Sequence, residues 1–180
     1  MQALLVIDVQ RGLVDQGDFK KELTVIERII HDFQIDERPV FFIKHLDHEK
    51  ESPLFKGSTG SELHPYLSKY ADRIIQKNTP SSFYQTELAE ELQEQQIDHV
   101  FITGFNTEFC CLFTSIAAFD RGYKVTYLED AATTVNTSDQ YDMPGLHIKT
   151  FIETVLHWSG SLEVLNDEEY REIYGKEDVL

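Results

Sequence analysis

Six short apolar runs, each separated from the next by a longer or more polar stretch, constrain this 180-residue chain more than any other feature. Residues 3–7 read ALLVI, a continuous branched run of the kind buried on both faces of a sheet. Shorter runs follow at 40–43, 72–76, 98–103, 123–128 and 161–165. Between them, 21–34 places Leu23, Ile26, Ile30 and Phe33 at helical spacing. Helical patterns recur at 86–95, 108–119 and 144–157, and an acidic helix is expected at the C-terminus. Strand–helix alternation of this kind specifies a parallel sheet covered on both faces. The expected fold is therefore α/β: a three-layer α/β/α sandwich on a doubly wound, six-stranded parallel sheet, Rossmann-like in architecture. No repeat or linker divides the chain, so it reads as one domain over 1–180.

Charge narrows the partners. Sixteen basic residues face 32 acidic ones, for a net charge of −16. Nucleic acid and anionic membranes are themselves anionic, so neither is an expected partner. Two stretches, 86–98 and the last twenty residues, carry much of the excess and read as solvated helix faces. No basic leader or apolar span of about 20 residues is present. Cys110 and Cys111 are adjacent and have no third cysteine to pair with. Free thiols fit a reducing compartment, and the expected location is cytoplasmic.

In open parallel sheets, sites gather at the carboxyl ends of the strands. Three reactive residues follow strands here: Asp8, Lys77 and Cys110. Thr107 is a candidate N-cap whose hydroxyl would accept the N–H of Cys110. Cys110 would then lie in a first helical turn, where the dipole favours a thiolate. Glu108, an anion beside it, works against that. Asp8 is the natural proton acceptor, and Lys77 could hold both Asp8 and the thiolate ionised. Each residue alone has a plainer reading: a core cysteine, a turn aspartate and a surface lysine. Cys111, rotated about 100° from Cys110, is assigned to packing.

Four stretches resemble the isochorismatase-like cysteine hydrolases. They are LLVIDVQ at 4–10, Gly57 to Pro65, IIQKNTPSSF at 74–83, and ITGFNTEFCCLFT with FDRGYKVTYLEDA across 102–131. The resemblance implies an Asp–Lys–Cys triad at Asp8, Lys77 and Cys110. It implies a cis peptide at Phe105–Asn106, with backbone N–H groups of Asn106 and Cys110 as oxyanion donors. It also places Gln10, Leu13 and Phe83 at the substrate. The implied reaction is hydrolysis of a small amide-like C–N bond through a thioester, with no cofactor. The alternative within the family is vinyl-ether hydrolysis of the isochorismatase type, which needs Asp8 and no thiol. A catalytically silent interaction protein is the third reading. The implied assembly is a homodimer or larger homo-oligomer.

Two positions depart from the family pattern: Leu13, where a Phe is common, and Asn106, where a small residue is common. Some relatives bind metal through an Asp-x-His pair. Here the segment reads His45-Leu46-Asp47-His48, so that spacing is absent. His45, Asp47, His48 and His64 are accordingly not expected to hold a metal.

Overall fold

A computed structural model describes residues 1–175. Lys176, Glu177 and Asp178, part of the acidic C-terminal stretch, lie outside the described residues. Six strands form one sheet: β1 (Gln2–Ile7), β2 (Val40–His45), β3 (Ile74–Lys77), β4 (His99–Phe105), β5 (Lys124–Thr133) and β6 (Glu163–Leu165). Their order is β3-β2-β1-β4-β5-β6, and every neighbouring pair is parallel. The winding reverses between β1 and β4, which makes the gap between their carboxyl ends the topological switch point.

Among the described residues seven α-helices accompany the sheet: α1 (Arg11–Val14), α2 (Lys20–Ile35), α3 (Pro65–Ser68), α4 (Leu88–Glu94), α5 (Leu112–Asp120), α6 (Ile148–Trp158) and α7 (Asp167–Ile173). Alternate residues of β1 feed two cores. Ala3, Leu5 and Ile7 pack with Leu88 and Leu92 of α4, Ala118 of α5 and Leu156 of α6. Leu4 and Val6 pack with Ile26, Ile30 and Phe33 of α2 and Tyr170 of α7. The run ALLVI is continuous because both of its faces are covered. Among the described residues, no helix is long and apolar enough to cross a membrane.

The helix expected at 108–119 is split. Residues Thr107–Cys111 form a five-residue π-helical turn, and α5 begins at Leu112. The Asn106 carbonyl accepts from both the Phe109 and the Cys111 N–H at 3.1 Å, which widens the turn. Thr107 does not cap it; its hydroxyl is buried beside the Tyr127 phenol. Phe113 and Phe119 of α5 are exposed rather than core.

The close approach of β1 and β4 rests on Gly104. Its φ is +111°, and a Cβ there would sit 1.9 Å from the Ile7 carbonyl oxygen. Replacing it forces strain and a backbone clash together. Gly104→Ala is therefore expected to destabilise the protein by on the order of 3 kcal/mol, read as a lower urea midpoint. An unchanged midpoint would show that the two strands can part without cost.

Candidate active site

The strand ends place the reactive groups side by side. Asp8 follows β1 at φ 51°, a left-handed conformation that aspartate tolerates better than most residues. Lys77 closes β3 two strands away. In the β2–β3 register Lys77 lies opposite His45, the last residue of β2. Parallel neighbours in register point to the same side of the sheet. Lys77 and His45 thus stand side by side on β3 and β2, Asp8 turns in from just past the end of β1, and Cys110 arrives from the loop after β4.

All of them meet at the Lys77 ammonium. Nζ donates to Asp8 Oδ2 at 2.7 Å, to His45 Nδ1 at 2.9 Å and to Cys110 Sγ at 3.2 Å. The Lys77 and Asp8 side chains are 0% and 1% exposed. An ammonium has three protons, and here each has an acceptor. Asp8 Oδ1 is buried without a hydrogen bond of its own. A carboxylate oxygen of Asp8, a ring nitrogen of His45 and Cys110 Sγ lie within 4.8 Å of one another.

Electrostatics modify the expectation for the thiol. Burial pushes Cys110 well above its usual value, and the Asp8 charge pushes it further; Lys77 pulls the other way without cancelling them. Burial and the Asp8 charge both favour the protonated thiol over the dipole-stabilised thiolate expected from the helical turn, with Lys77 opposing them. Burial also works against the charge on Lys77, but Asp8 and Cys110 outweigh it and hold the ammonium above its ordinary value. Glu108 bears little on this balance. Its Oε1 instead accepts from Thr134 at 2.9 Å, Asn136 at 2.7 Å and Tyr141 at 2.9 Å. Burial, with the Glu108 carboxylate second, pushes the Tyr141 phenol up to about 12, which keeps it a donor.

Cys110 opens into a cavity of about 400 Å³. Asp8, His45, Asp47 and Asn106 line it with Leu13, Phe109, Pro80 and the 135–140 segment. The Phe105–Asn106 peptide is cis. Asn106 Oδ1 accepts the Val135 N–H at 3.1 Å, so the residue that departs from the family pattern fastens a cavity wall. Of the residues expected at substrate, Leu13 lines the cavity. Gln10 and Phe83 do not. The Gln10 amide is fully buried and spans the His45 backbone, accepting its N–H at 2.8 Å and donating to its carbonyl at 2.9 Å; it also donates to Ser61 O at 2.9 Å. Phe83 is core, stacked on Tyr123 at 5.8 Å with Arg121 over its ring. Cys111 is fully buried in the core.

The four residues weighed as metal ligands scatter. His48 faces a separate polar hollow beside Lys56 and Gln85. His64 caps α3 and faces Asp15 at 3.5 Å. His45 and Asp47 bond each other at 2.8 Å. Among the described residues, the one cluster with metal-like spacing is Asp8, His45 and Cys110, and the Lys77 ammonium bonds all three. As arranged, that donor set suits an ammonium and does not fit a resident metal ion. The contact of His45 with Lys77 went unread because the sequence weighed His45 only as a ligand, and its register opposite Lys77 is visible only once β2 and β3 are seen to pair.

Residues 2–155 match the isochorismatase domain family. Nicotinamidase 3 of Arabidopsis thaliana is 28% identical over 152 residues, covering 74% of each chain. A second Arabidopsis thaliana protein, named as a probable inactive nicotinamidase, is 28% identical over 189 residues, covering 89% of this chain and 95% of its own. Among solved structures, an isochorismatase-family protein from Burkholderia xenovorans LB400 superposes with a TM-score of 0.83 at 29% identity, covering 94% of this chain and 85% of that one.

The balance around Sγ has a measurable sign. Asp8→Asn removes the anion that raises the thiol, so alkylation of Cys110 by iodoacetamide should reach its midpoint at lower pH than in wild type. Lys77→Met should move the midpoint to higher pH. Peptide mapping of the alkylated residue checks both, and opposite shifts would reverse the assignment of charges.

Proposed function

The chain belongs to the isochorismatase family, and from that premise we propose that it hydrolyses the C–N bond of a small uncharged amide through Cys110. The observation that carries the reading is the convergence of Asp8, Lys77 and Cys110 on one ammonium at 2.7 and 3.2 Å beside an open cavity. A protonated thiol needs a base, and Asp8 has one carboxylate oxygen unengaged.

In the proposed cycle Asp8 takes the Cys110 proton as Sγ bonds to the amide carbon. The carbonyl becomes an oxyanion, for which the N–H groups of Asn106 and Cys110 are the proposed donors. The C–N bond then breaks, and Asp8 returns its proton to the leaving amine. A thioester on Cys110 remains. Asp8 next takes a proton from water as the oxygen attacks that carbon. The C–S bond breaks and the sulfur is reprotonated. The net change is amide plus water to acid plus amine. Lys77 stays charged throughout; it fixes Asp8 and faces the sulfur whenever the sulfur is anionic.

Vinyl-ether hydrolysis of the isochorismatase type is the second reading, and the cavity weighs against it. Its charged lining residues are Asp8 and Asp47; no Arg or Lys is among the described residues that line it. A negatively charged substrate would leave water for a cavity lined by two acids, where the nearby Lys77 ammonium is already bonded to Asp8, His45 and Cys110. A volume of about 400 Å³ suits a small molecule.

The expected self-assembly also has a candidate surface. Phe113, Ile116 and Phe119 of α5 and Phe151, Val155 and Trp158 of α6 are exposed on helices that cover the same sheet face, with Trp158 83% exposed. Six exposed apolar side chains on one side of the sheet are the material from which a standard interface of ~800 Å² per partner is built. We propose that a second copy of this chain covers them.

Cys110→Ala and Cys110→Ser should each abolish hydrolysis in a screen of small neutral amides, carbamoyl compounds and isochorismate, with the thermal melt retained. Turnover of isochorismate that survives Cys110→Ala and is lost in Asp8→Asn would establish the second reading; no turnover of anything would favour the silent protein. In sedimentation, wild type should run as a dimer at micromolar concentration and the Phe113→Asp/Trp158→Asp variant as a monomer. A monomeric wild type would remove the assembly proposal.

A further inference from the structure

Lys77 is held by one group that the proposed cycle does not use. His45 Nδ1 lies 2.9 Å from Nζ, and His45 Nε2 lies 2.8 Å from Asp47 Oδ1. Asp47 Oδ2 in turn accepts from the Ser52 hydroxyl. An ammonium carries protons and no lone pair, so Nδ1 must be the acceptor in this contact. The ring proton therefore sits on Nε2 and points at Asp47. The sequence His45-Leu46-Asp47 runs in the opposite order to an Asp-x-His ligand pair; its histidine faces a lysine and its aspartate faces the histidine.

We propose that His45 and Asp47 are positioning residues that aim the Lys77 ammonium at Asp8 and Cys110, with Asp47 locking the one imidazole tautomer able to accept from it. The proposal rests on the reading of Asp8, Lys77 and Cys110 as the working triad. Nζ sits at the end of a flexible four-carbon stem, and two acceptors alone would let it swing about the Asp8 contact. The third acceptor fixes the remaining proton and with it the direction of the other two. The histidine is itself braced: Gln10 bonds its backbone N–H and carbonyl, and the Asp47 N–H donates to Leu54 O at 3.0 Å. Burial works against the Asp47 charge, but hydrogen bonds from Ser52 and His45 bring the carboxyl below its usual range, so it is an acceptor at neutral pH. If the tautomer reversed, an N–H would face the ammonium and push it away from the sulfur.

Three variants test this in the full-length protein: His45→Leu removes the acceptor, His45→Asn keeps an amide oxygen near its place, and Asp47→Asn favours the wrong tautomer, because its NH2 group can donate to Nε2. One readout is the pH midpoint of Cys110 alkylation by iodoacetamide; the other is kcat and KM on a small amide that wild type turns over. His45→Leu and Asp47→Asn should both move the midpoint to higher pH and lower kcat roughly ten- to hundred-fold with KM within about two-fold, a typical span for groups that orient a reacting residue. His45→Asn should recover most of both losses. The proposal is overturned if the midpoint and kcat stay at wild-type values, if His45→Asn is as impaired as His45→Leu, or if chelation inactivates wild type and zinc restores it. Should His45→Leu fail to fold, the contrast between Asp47→Asn and His45→Asn decides. Midpoint shifts without turnover of any amide would uphold the positioning role and refute the hydrolase reading; Cys110-dependent turnover that ignores all three variants would do the reverse.

Discussion

A lysine ammonium with no solvent exposure must find an acceptor for every proton, and Lys77 finds three. That requirement ties the site to the fold. The acceptors come from the end of β1, the end of β2 and the loop after β4, so the charge is satisfied only when those strands lie in register. Removing one partner of a buried ion pair commonly costs about 3–5 kcal/mol, because the survivor is left desolvated and alone. The sheet order makes the pairing possible: β2 lies between β1 and β3, and its last residue fills the gap that Lys77 must cross to reach Asp8.

The same crowding governs the sulfur. Asp8 raises the thiol as an anion, yet one of its carboxylate oxygens lies within 4.8 Å of the sulfur, where it can accept the thiol's proton. These effects belong together in the proposed chemistry. A thiol kept protonated at rest is poorly reactive toward passing electrophiles. A carboxylate already bound by Lys77 through one oxygen can take the proton on the other with little movement. Nucleophile and general acid are then made in one step, and the ammonium faces whichever of sulfur and carboxyl carries the negative charge.

Much of this was legible in the sequence where the cause is local. ALLVI at 3–7 and the run at 98–103 announce strands buried on both faces, and strand ends followed by Asp8, Lys77 and the cysteine loop announce the site. What escaped depends on distant partners. The Thr107 cap was a sound local inference, but the Asn106 carbonyl takes two N–H groups and opens a π-helical turn instead. Gln10 was expected at the substrate from the resemblance of LLVIDVQ; its amide is spent on the His45 and Ser61 backbone, 35 and 51 residues away. Phe83 looked like a pocket aromatic, but the Ser82 N–H and hydroxyl bond Thr114 at 3.0 and 2.8 Å, and Phe83 itself packs in the core below α5. His45 was weighed as a ligand, since its register with Lys77 cannot be read without knowing that β2 and β3 pair.

These different supports divide the labour within the cavity. Asp8, His45 and Lys77 stand at strand ends, where ladder hydrogen bonds from neighbouring strands fix the backbone. The wall formed by Val135, Asn136 and Gln140 hangs instead from side chains: Asn106 holds the Val135 N–H, and Glu108 gathers Thr134, Asn136 and Tyr141 on one oxygen. Asn106 directly precedes the turn that carries Cys110, and Glu108 lies within it. A change in the 134–141 loop can therefore alter the shape presented to a substrate without moving the strand ends that hold the lysine. The reverse does not follow, because a displaced cysteine turn would carry the loop with it. Position 106, where this chain has Asn in place of a small residue, couples the two: it supplies a proposed oxyanion donor through its backbone and a wall fastening through its side chain.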